Sequence, residues 1–237
     1  MGPVVGTPTA RIDALEKVLG HGKFAADVQL PGLLHGKLRL SDHAHARVLS
    51  VDTHEAERLP GVRAVLTAWN TPEYRFGSEF QDQTLFAREK VLHRGAVLAA
   101  IAAVDPETAE EAAGRIRVVY DPLPAVTNVL EAIKPGAPVL HERLATYPGV
   151  NPAHVHGNIC TRSTVAWGDV EDGFRQAAHT FEHTFTTSTV HQGYLEPMAS
   201  VAQHEPGGKL TLWTSTQSTY VVCRTLATSG PPGAATA

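Results

Sequence analysis

Residues 47–66, RVLSVDTHEAERLPGVRAVL, and residues 98–119, LAAIAAVDPETAEEAAGRIRVV, carry one pattern twice. Laid over each other without gaps, Val51 and Asp52 fall on Val104 and Asp105, Ala56 and Glu57 on Ala109 and Glu110, Gly61 on Gly114, and Val65 on Val118, a constant offset of 53 positions. Self-similarity at a fixed period marks duplicated supersecondary units. Each copy reads as an apolar strand, an Asp at a helix N-cap, a short helix rich in Glu and Ala, a Gly C-cap and a second β-branched strand. Pro106 takes the first helical position of the second copy, where its missing N–H is no loss. Neither unit closes a core alone. The pair is therefore expected to pack with the strand at residues 33–40, LLHGKLRL, into one small α+β domain.

Downstream of the repeat the text changes. From Asp121 to His156 Pro recurs and amphipathic periodicity fades, apart from one turn around Leu130 to Ile133. This predicts a linker that lies over a surface, too long to be a bare connector and so packed against something. Regular structure is expected to resume with a strand at residues 159–166, a helix capped by Asp169, strands at 180–187, 198–204 and 209–214, and a helix over 218–227. The final stretch, TSGPPGAATA, has the composition of a disordered tail. The domain division expected from this pass is 1–125, a linker at 126–156, and 157–237.

Composition narrows the function classes. A chain of 237 residues, 43% hydrophobic and 19% charged, can bury a real core. Its net charge of -4, with basic and acidic residues interspersed, offers no face to a phosphate backbone and argues against a nucleic-acid partner. No run reaches the roughly 18 uncharged apolar residues that a membrane span needs, and the first residues lack a signal-peptide pattern, so the cytoplasm is the expected location. Cys160 and Cys223 stand far apart without a CxxC pattern and read as two reduced structural thiols. Any metal cluster that carries electrons would have to sit on another chain or domain. The pairs His43 with His45 and His154 with His156 could each offer two ligands from one face of a strand, but no third ligand is marked and no metal site is assigned. GxSxG, P-loop and dinucleotide fingerprints are absent.

The stretch from Gly6 to Asp52, GTPTARIDALEKVLGHGKFAADVQLPGLLHGKLRLSDHAHARVLSVD, resembles the start of the large subunit of the aldehyde oxidase and xanthine dehydrogenase family. The resemblance continues through Pro60 to Val62, VDPETAEEA and YDPLPAV, which implies the α/β hammerhead domain of that family. GDVEDGFRQAAHTFEHTF, VHQGYLEPMASVAQ and LTLWTSTQSTYVVCRTLA are similar to the opening of its molybdopterin-binding domain, so the likeness covers nearly all of Gly6 to Ala227. It implies an oxidoreductase that hydroxylates an aldehyde, an N-heterocycle or a related small molecule at a molybdenum–molybdopterin cofactor. Iron–sulfur clusters and FAD, on partner subunits or domains, are implied as the route by which electrons leave.

Gln217, in TSTQ, matches the family Gln that donates a hydrogen bond to an oxo ligand of the molybdenum, and is the one catalytic and cofactor-binding residue assigned. A neutral amide suits that role, since it offers two N–H donors to an electron-rich oxygen and cannot lose a proton. The other reading of Gln217 is an ordinary helix-entry residue after Thr216. Glu196, in LEP, has no nearby group to tune it as a base and is read as a structural, hydrogen-bonded carboxylate. Where the family runs into a Gly-rich loop of GGFG type, this sequence runs into SGPPGAATA, so the segments that hold the catalytic Glu and most of the pterin have no match here. The chain is accordingly expected to be a truncated portion, inactive alone. The alternatives are a short subunit that completes its site with another chain and a noncatalytic interaction module.

Overall fold

The computed structural model describes residues 5–77 and 79–229, the side chains of residues 228 and 229 excepted. In chain order the elements are α1 (Ala14–Val18), β1 (His35–Leu40), β2 (Ala46–Asp52), α2 (His54–Glu57), β3 (Val62–Thr67), β4 (Arg75–Phe76), β5 (Gln83–Thr84), β6 (Lys90–Val91), β7 (Val97–Ala103), α3 (Pro106–Arg115), β8 (Arg117–Pro122), α4 (Val129–Ala132), α5 (Val170–Gln176), β9 (Ser200–His204), β10 (Leu210–Thr214) and α6 (Thr219–Ser229). By its internal contacts the chain divides into one unit of Gly32–Thr186 and another of Met1–Pro31 with Thr187–Ala237. The expected tail from residue 230 onward lies outside the described residues. Among the described residues no helix is long and apolar enough to cross a membrane.

In the larger unit the two repeat copies exchange strands. The first copy is β2, α2, β3 and the second is β7, α3, β8, yet β2 pairs with β8 and β3 with β7, both antiparallel. Each copy thus provides the pairing edge that the other lacks, which is why neither closes alone. The sheets run β1, β7, β3 and β6, β2, β8. Strand β7, a continuous apolar run, is buried along most of its length because it is the centre of the first sheet.

Two clusters fill the interior. Ala56 from α2 and Ala112 and Ala113 from α3 meet Val65, Ala99, Ile101 and Ile116. Ala109, Ala112 and Ala113 recur at helical spacing and give α3 a buried face of small side chains. Ala46, Val48, Val91, Ala96 and Leu98 form the second cluster. Val51 and Val118, register partners across β2 and β8, border both.

Local chemistry separates the copies where the sequence predicts equivalence. Asp105 caps α3 as expected: its side chain accepts from the Thr108 N–H at 2.7 Å, and the side-chain and backbone hydrogen bonds from Thr108 hold its carboxyl below the usual range. Asp52 does not cap α2. The N-cap is Thr53, and the Asp52 carboxylate accepts instead from the backbone N–H of His54 at 3.1 Å while its Oδ1 lies 2.8 Å from His54 Nδ1. Gly61 takes φ +97°, the left-handed backbone that glycine tolerates, but Gly114 lies inside α3 and is not a C-cap. The second helix runs 10 residues against 4 in the first, so it passes Gly114, and Ile116 turns the chain to extended backbone by burying its side chain.

The stretch after β8 is packed. Asn128 caps α4, and Asn158 receives the Leu140 N–H at 2.9 Å while donating to the carbonyls of Ala132 and Pro138. Lys90 donates to the Leu140 carbonyl at 3.1 Å, and the Arg75 guanidinium sits 4.3 Å above the Tyr147 ring. Two expected strands are missing. Residues 160–168 and 177–199 hold neither helix nor strand, although α5 between them begins after Asp169, whose side chain accepts from the Asp172 N–H at 2.9 Å. A strand requires a neighbour for its N–H and C=O groups, and among the described residues no strand pairs with 160–168 or 177–198.

Candidate functional site

The smaller unit is built on the hairpin of β9 and β10, in register from Leu210 opposite His204 to Thr214 opposite Ser200. Gly208, at φ +87°, turns the chain, and the Glu205 N–H donates to the Lys209 carbonyl at 2.9 Å. The ladder extends one residue past the strands: Ser215 N–H donates to the Ala199 carbonyl at 3.0 Å, and the Ala199 N–H donates to Ser215 Oγ at 3.2 Å. Pairing therefore fixes Ser215 beside residues 196–199.

Ser215 is the partner for Glu196 that the sequence did not reveal. Its hydroxyl lies 3.1 Å from Glu196 Oε1 and 3.1 Å from the Pro197 carbonyl, and its single proton serves one acceptor at a time. This agrees with reading Glu196 as a hydrogen-bonded structural carboxylate. No local motif signals the pair, because 19 positions separate the residues and only the hairpin register joins them. Pairing Met198 to His204 with Lys209 to Thr214 on paper, and extending the ladder by one step, would have found it.

Gln217 stands two residues beyond Ser215, in the bend between β10 and α6. The helix entry is made by its neighbours: Ser218 N–H donates to Thr216 Oγ1 at 3.2 Å, and Val222 N–H to the Ser218 carbonyl at 3.2 Å. The Gln217 side chain is exposed and takes no part in that turn. A neutral amide at the end of the hairpin, with both N–H donors unused among the described residues, fits a hydrogen bond to an anionic or oxo group. It fits as one donor and does not by itself enclose a cofactor.

The histidine pairs serve other ends. His45 is buried with Nδ1 at 2.7 Å from the Pro124 carbonyl, so that nitrogen carries the proton and donates, and the His43 ring lies 4.5 Å from that of Tyr120. His154 closes a short 3-10 turn, and His156 bridges to Ile159 through the backbone. Among the described residues no group of three or more His, Cys, Asp or Glu could hold a metal ion. Cys160 and Cys223 are both free thiols.

In the larger unit a cavity of about 170 Å³ opens between the loop after β3 and the stretch around His141. Its cations are largely answered from within: Arg75 by Glu73, Lys90 by Glu142 and Arg143 by Glu89. Burial pushes His141 down, and the hydrogen bond from Lys90 holds the Glu142 carboxyl low. Such internal compensation gives the cavity no charge preference for a ligand.

A family model described as aldehyde oxidase and xanthine dehydrogenase, a/b hammerhead domain, matches residues 19–124, the part with the exchanged strands. A second, described as molybdopterin cofactor-binding domain, matches residues 151–229 and contains Glu196, Ser215 and Gln217. A probable xanthine dehydrogenase subunit of Bacillus subtilis (strain 168) is 34% identical over 219 residues, 92% of this chain and 28% of that protein. The nicotinate dehydrogenase large molybdopterin subunit of Eubacterium barkeri is 31% identical over 218 residues, 92% of this chain and 48% of its own. The solved CO dehydrogenase from Oligotropha carboxidovorans superposes with a TM-score of 0.79 at 32% identity, over 94% of this chain and 29% of that one. The chain thus spans less than half the length of the relatives it matches.

Proposed function

The chain belongs to the aldehyde oxidase and xanthine dehydrogenase family, and from that premise we propose that it forms the N-terminal part of a molybdenum hydroxylase large subunit. The division we propose is a hammerhead domain at 1–125, a packed linker at 126–156, and the first part of a molybdopterin-binding domain from 157. The molybdenum–molybdopterin cofactor, when bound, supplies oxygen transfer and two-electron redox chemistry to a small substrate such as an aldehyde or N-heterocycle. Iron–sulfur and FAD subunits or domains take the electrons onward, the chain alone is inactive, and the complex works in the cytoplasm.

The residues of this chain contribute position and polarity. Pairing of β9 with β10 fixes Ser215, Ser215 ties down Glu196, and the same strand end carries Gln217 with a free amide. That exposed amide, two residues past the last extended pair of the hairpin and without a hydrogen-bond partner among the described residues, is the observation that carries the proposal. An oxygen that gains negative charge as the reaction proceeds is stabilised by such a donor without reorganisation. A second reading, a subunit whose site is completed by another chain, is favoured by the 48% coverage of the nicotinate dehydrogenase protein, a fuller match than the 28% of the Bacillus protein.

The test compares wild type, Gln217→Ala and Gln217→Glu in the complete enzyme, restored by fusion or by a partner subunit. Gln217→Ala lowers turnover by roughly ten- to a thousandfold at unchanged molybdenum content. Gln217→Glu is worse, because an ionised carboxylate faces an electron-rich oxygen. An ordinary helix entry gives the opposite order, since an acidic side chain suits a helix N-terminus. A Glu form as active as wild type, with equal molybdenum, overturns the assignment.

A further inference from the structure

Residues 138–148 form a strap tied to the segments around β4, β5 and β6. Leu140 N–H donates to Asn158 Oδ1 at 2.9 Å, and Lys90 Nζ donates both to the Leu140 carbonyl and to Glu142 Oε1, each at 3.1 Å. Farther along, Arg143 pairs with Glu89 at 3.3 Å, the Arg75 guanidinium covers the Tyr147 ring, and the Gln81 N–H donates to the Pro148 carbonyl at 3.0 Å. His141 lies in the middle of these contacts and is the only side chain of 138–148 whose ordinary titration falls near neutral pH. Its ring meets Tyr147 edge-on, with centroids 5.7 Å apart and planes at 87°, and its Nδ1 is 3.4 Å from the Tyr147 hydroxyl. As the Nε2–H tautomer the neutral ring accepts that hydroxyl proton, whereas an imidazolium has no acceptor to offer.

The surrounding charges favour the neutral ring. Lys90 holds the residues on both sides of His141, and Arg75 covers the same tyrosine ring that His141 touches, so two cations are fixed close by. Arg88, which donates to the Ala68 carbonyl, adds a further cation to the cavity wall. Most carboxylates there are already taken, Glu73 by Arg75, Glu142 by Lys90 and Glu89 by Arg143. Asp82 is in none of these pairs and favours a charged imidazole. Tyr74 and Tyr147 bring phenol hydroxyls and no charge.

We propose that His141 is an acid-sensitive latch: as a neutral ring it holds residues 138–148 against β4, β5 and β6, and its protonation releases them while the strands beneath stay folded. The latch is independent of the role of Gln217. Burial first, and then Lys90 and Arg75, push His141 below its ordinary value, against the upward pull of Asp82. The released ring therefore binds a proton more readily than the docked one. Docking is at full strength above the ordinary histidine value, about 6.5, and weakens as pH falls through and below it.

The test is amide hydrogen exchange of the full chain at about pH 7.5 and about pH 5.5, on either side of the ordinary histidine value, with each rate corrected for its intrinsic dependence on pH. The amides of Leu140, Leu144 and Tyr147, which donate to Asn158 Oδ1, the His141 carbonyl and the Leu144 carbonyl, lose about threefold or more of their protection at the lower pH. Amides of β7 keep theirs and report intact folding. His141→Phe retains a ring beside Tyr147 but takes no proton, and His141→Gln retains a neutral polar group; in both the loss disappears. Asp82→Asn removes the carboxylate that favours the charged ring, so the loss grows. That variant keeps the imidazole, and its result stands even where a ring substitution loosens the strap. Equal protection of the wild-type strap at both pH values, a loss that persists in the Phe and Gln forms, or a loss no larger in Asp82→Asn overturns the latch. A loss shared by β7 overturns it as well, because the whole unit then unfolds in place of the strap.

Discussion

Residues 32–125 and residues 157–229 both carry many apolar side chains but end in different states. The first stretch buries Leu98, Ile101, Ile116 and Val91 completely or nearly so. The second, among its described side chains, buries none, and leaves Val165, Trp167, Phe181, Phe185 and Leu195 in water. Strand supply accounts for the difference. The repeat carries two strands per copy, and exchange between copies gives each of the four a partner; the later stretch has two strand-like segments and, among the described residues, pairs neither, while β9 and β10 form a two-stranded sheet. Hydrophobic content alone does not make a core, because an apolar strand must also satisfy its backbone before it can be buried.

Substitutions sharpen that contrast. The largest effect falls on Leu98, fully buried where β7 meets the second cluster: Leu98→Ala lowers unfolding stability by about 2–5 kcal/mol, read from the urea midpoint of the hammerhead transition. A loss below about 1 kcal/mol would mean that this core is as loose as the later stretch. Next come the repeat-matched glycines. At Gly61 a Cβ would meet Val104 Cγ2 at 3.0 Å on a left-handed backbone, so Gly61→Ala costs roughly 1–3 kcal/mol. At Gly114 a Cβ meets nothing within 4 Å inside α3, and Gly114→Ala stabilises by about 0.5–1 kcal/mol. Equal signs for the two would show that the copies are equivalent in structure as well as in sequence. The smallest effect belongs to Trp167, where Trp167→Ser shifts stability by no more than about 0.5 kcal/mol in the isolated chain, read from the same midpoint. A larger loss would reveal that the later stretch does hold a core.

The sequence by itself determined the duplicated units, the cap at Asp105, the apolar character of β7 and the family, because these follow from local periodicity and from motifs in order along the chain. Tertiary structure alone decided that the copies exchange strands, that Gly61 and Gly114 have unlike roles, and that Ser215 meets Glu196, since each depends on residues distant in sequence that pairing or packing brings together. For residues 159–166 and 180–187 the sequence predicts strands, but a strand exists only against a neighbour. The backbone hydrogen bonds that define it belong half to another segment, and no reading of one segment can supply them.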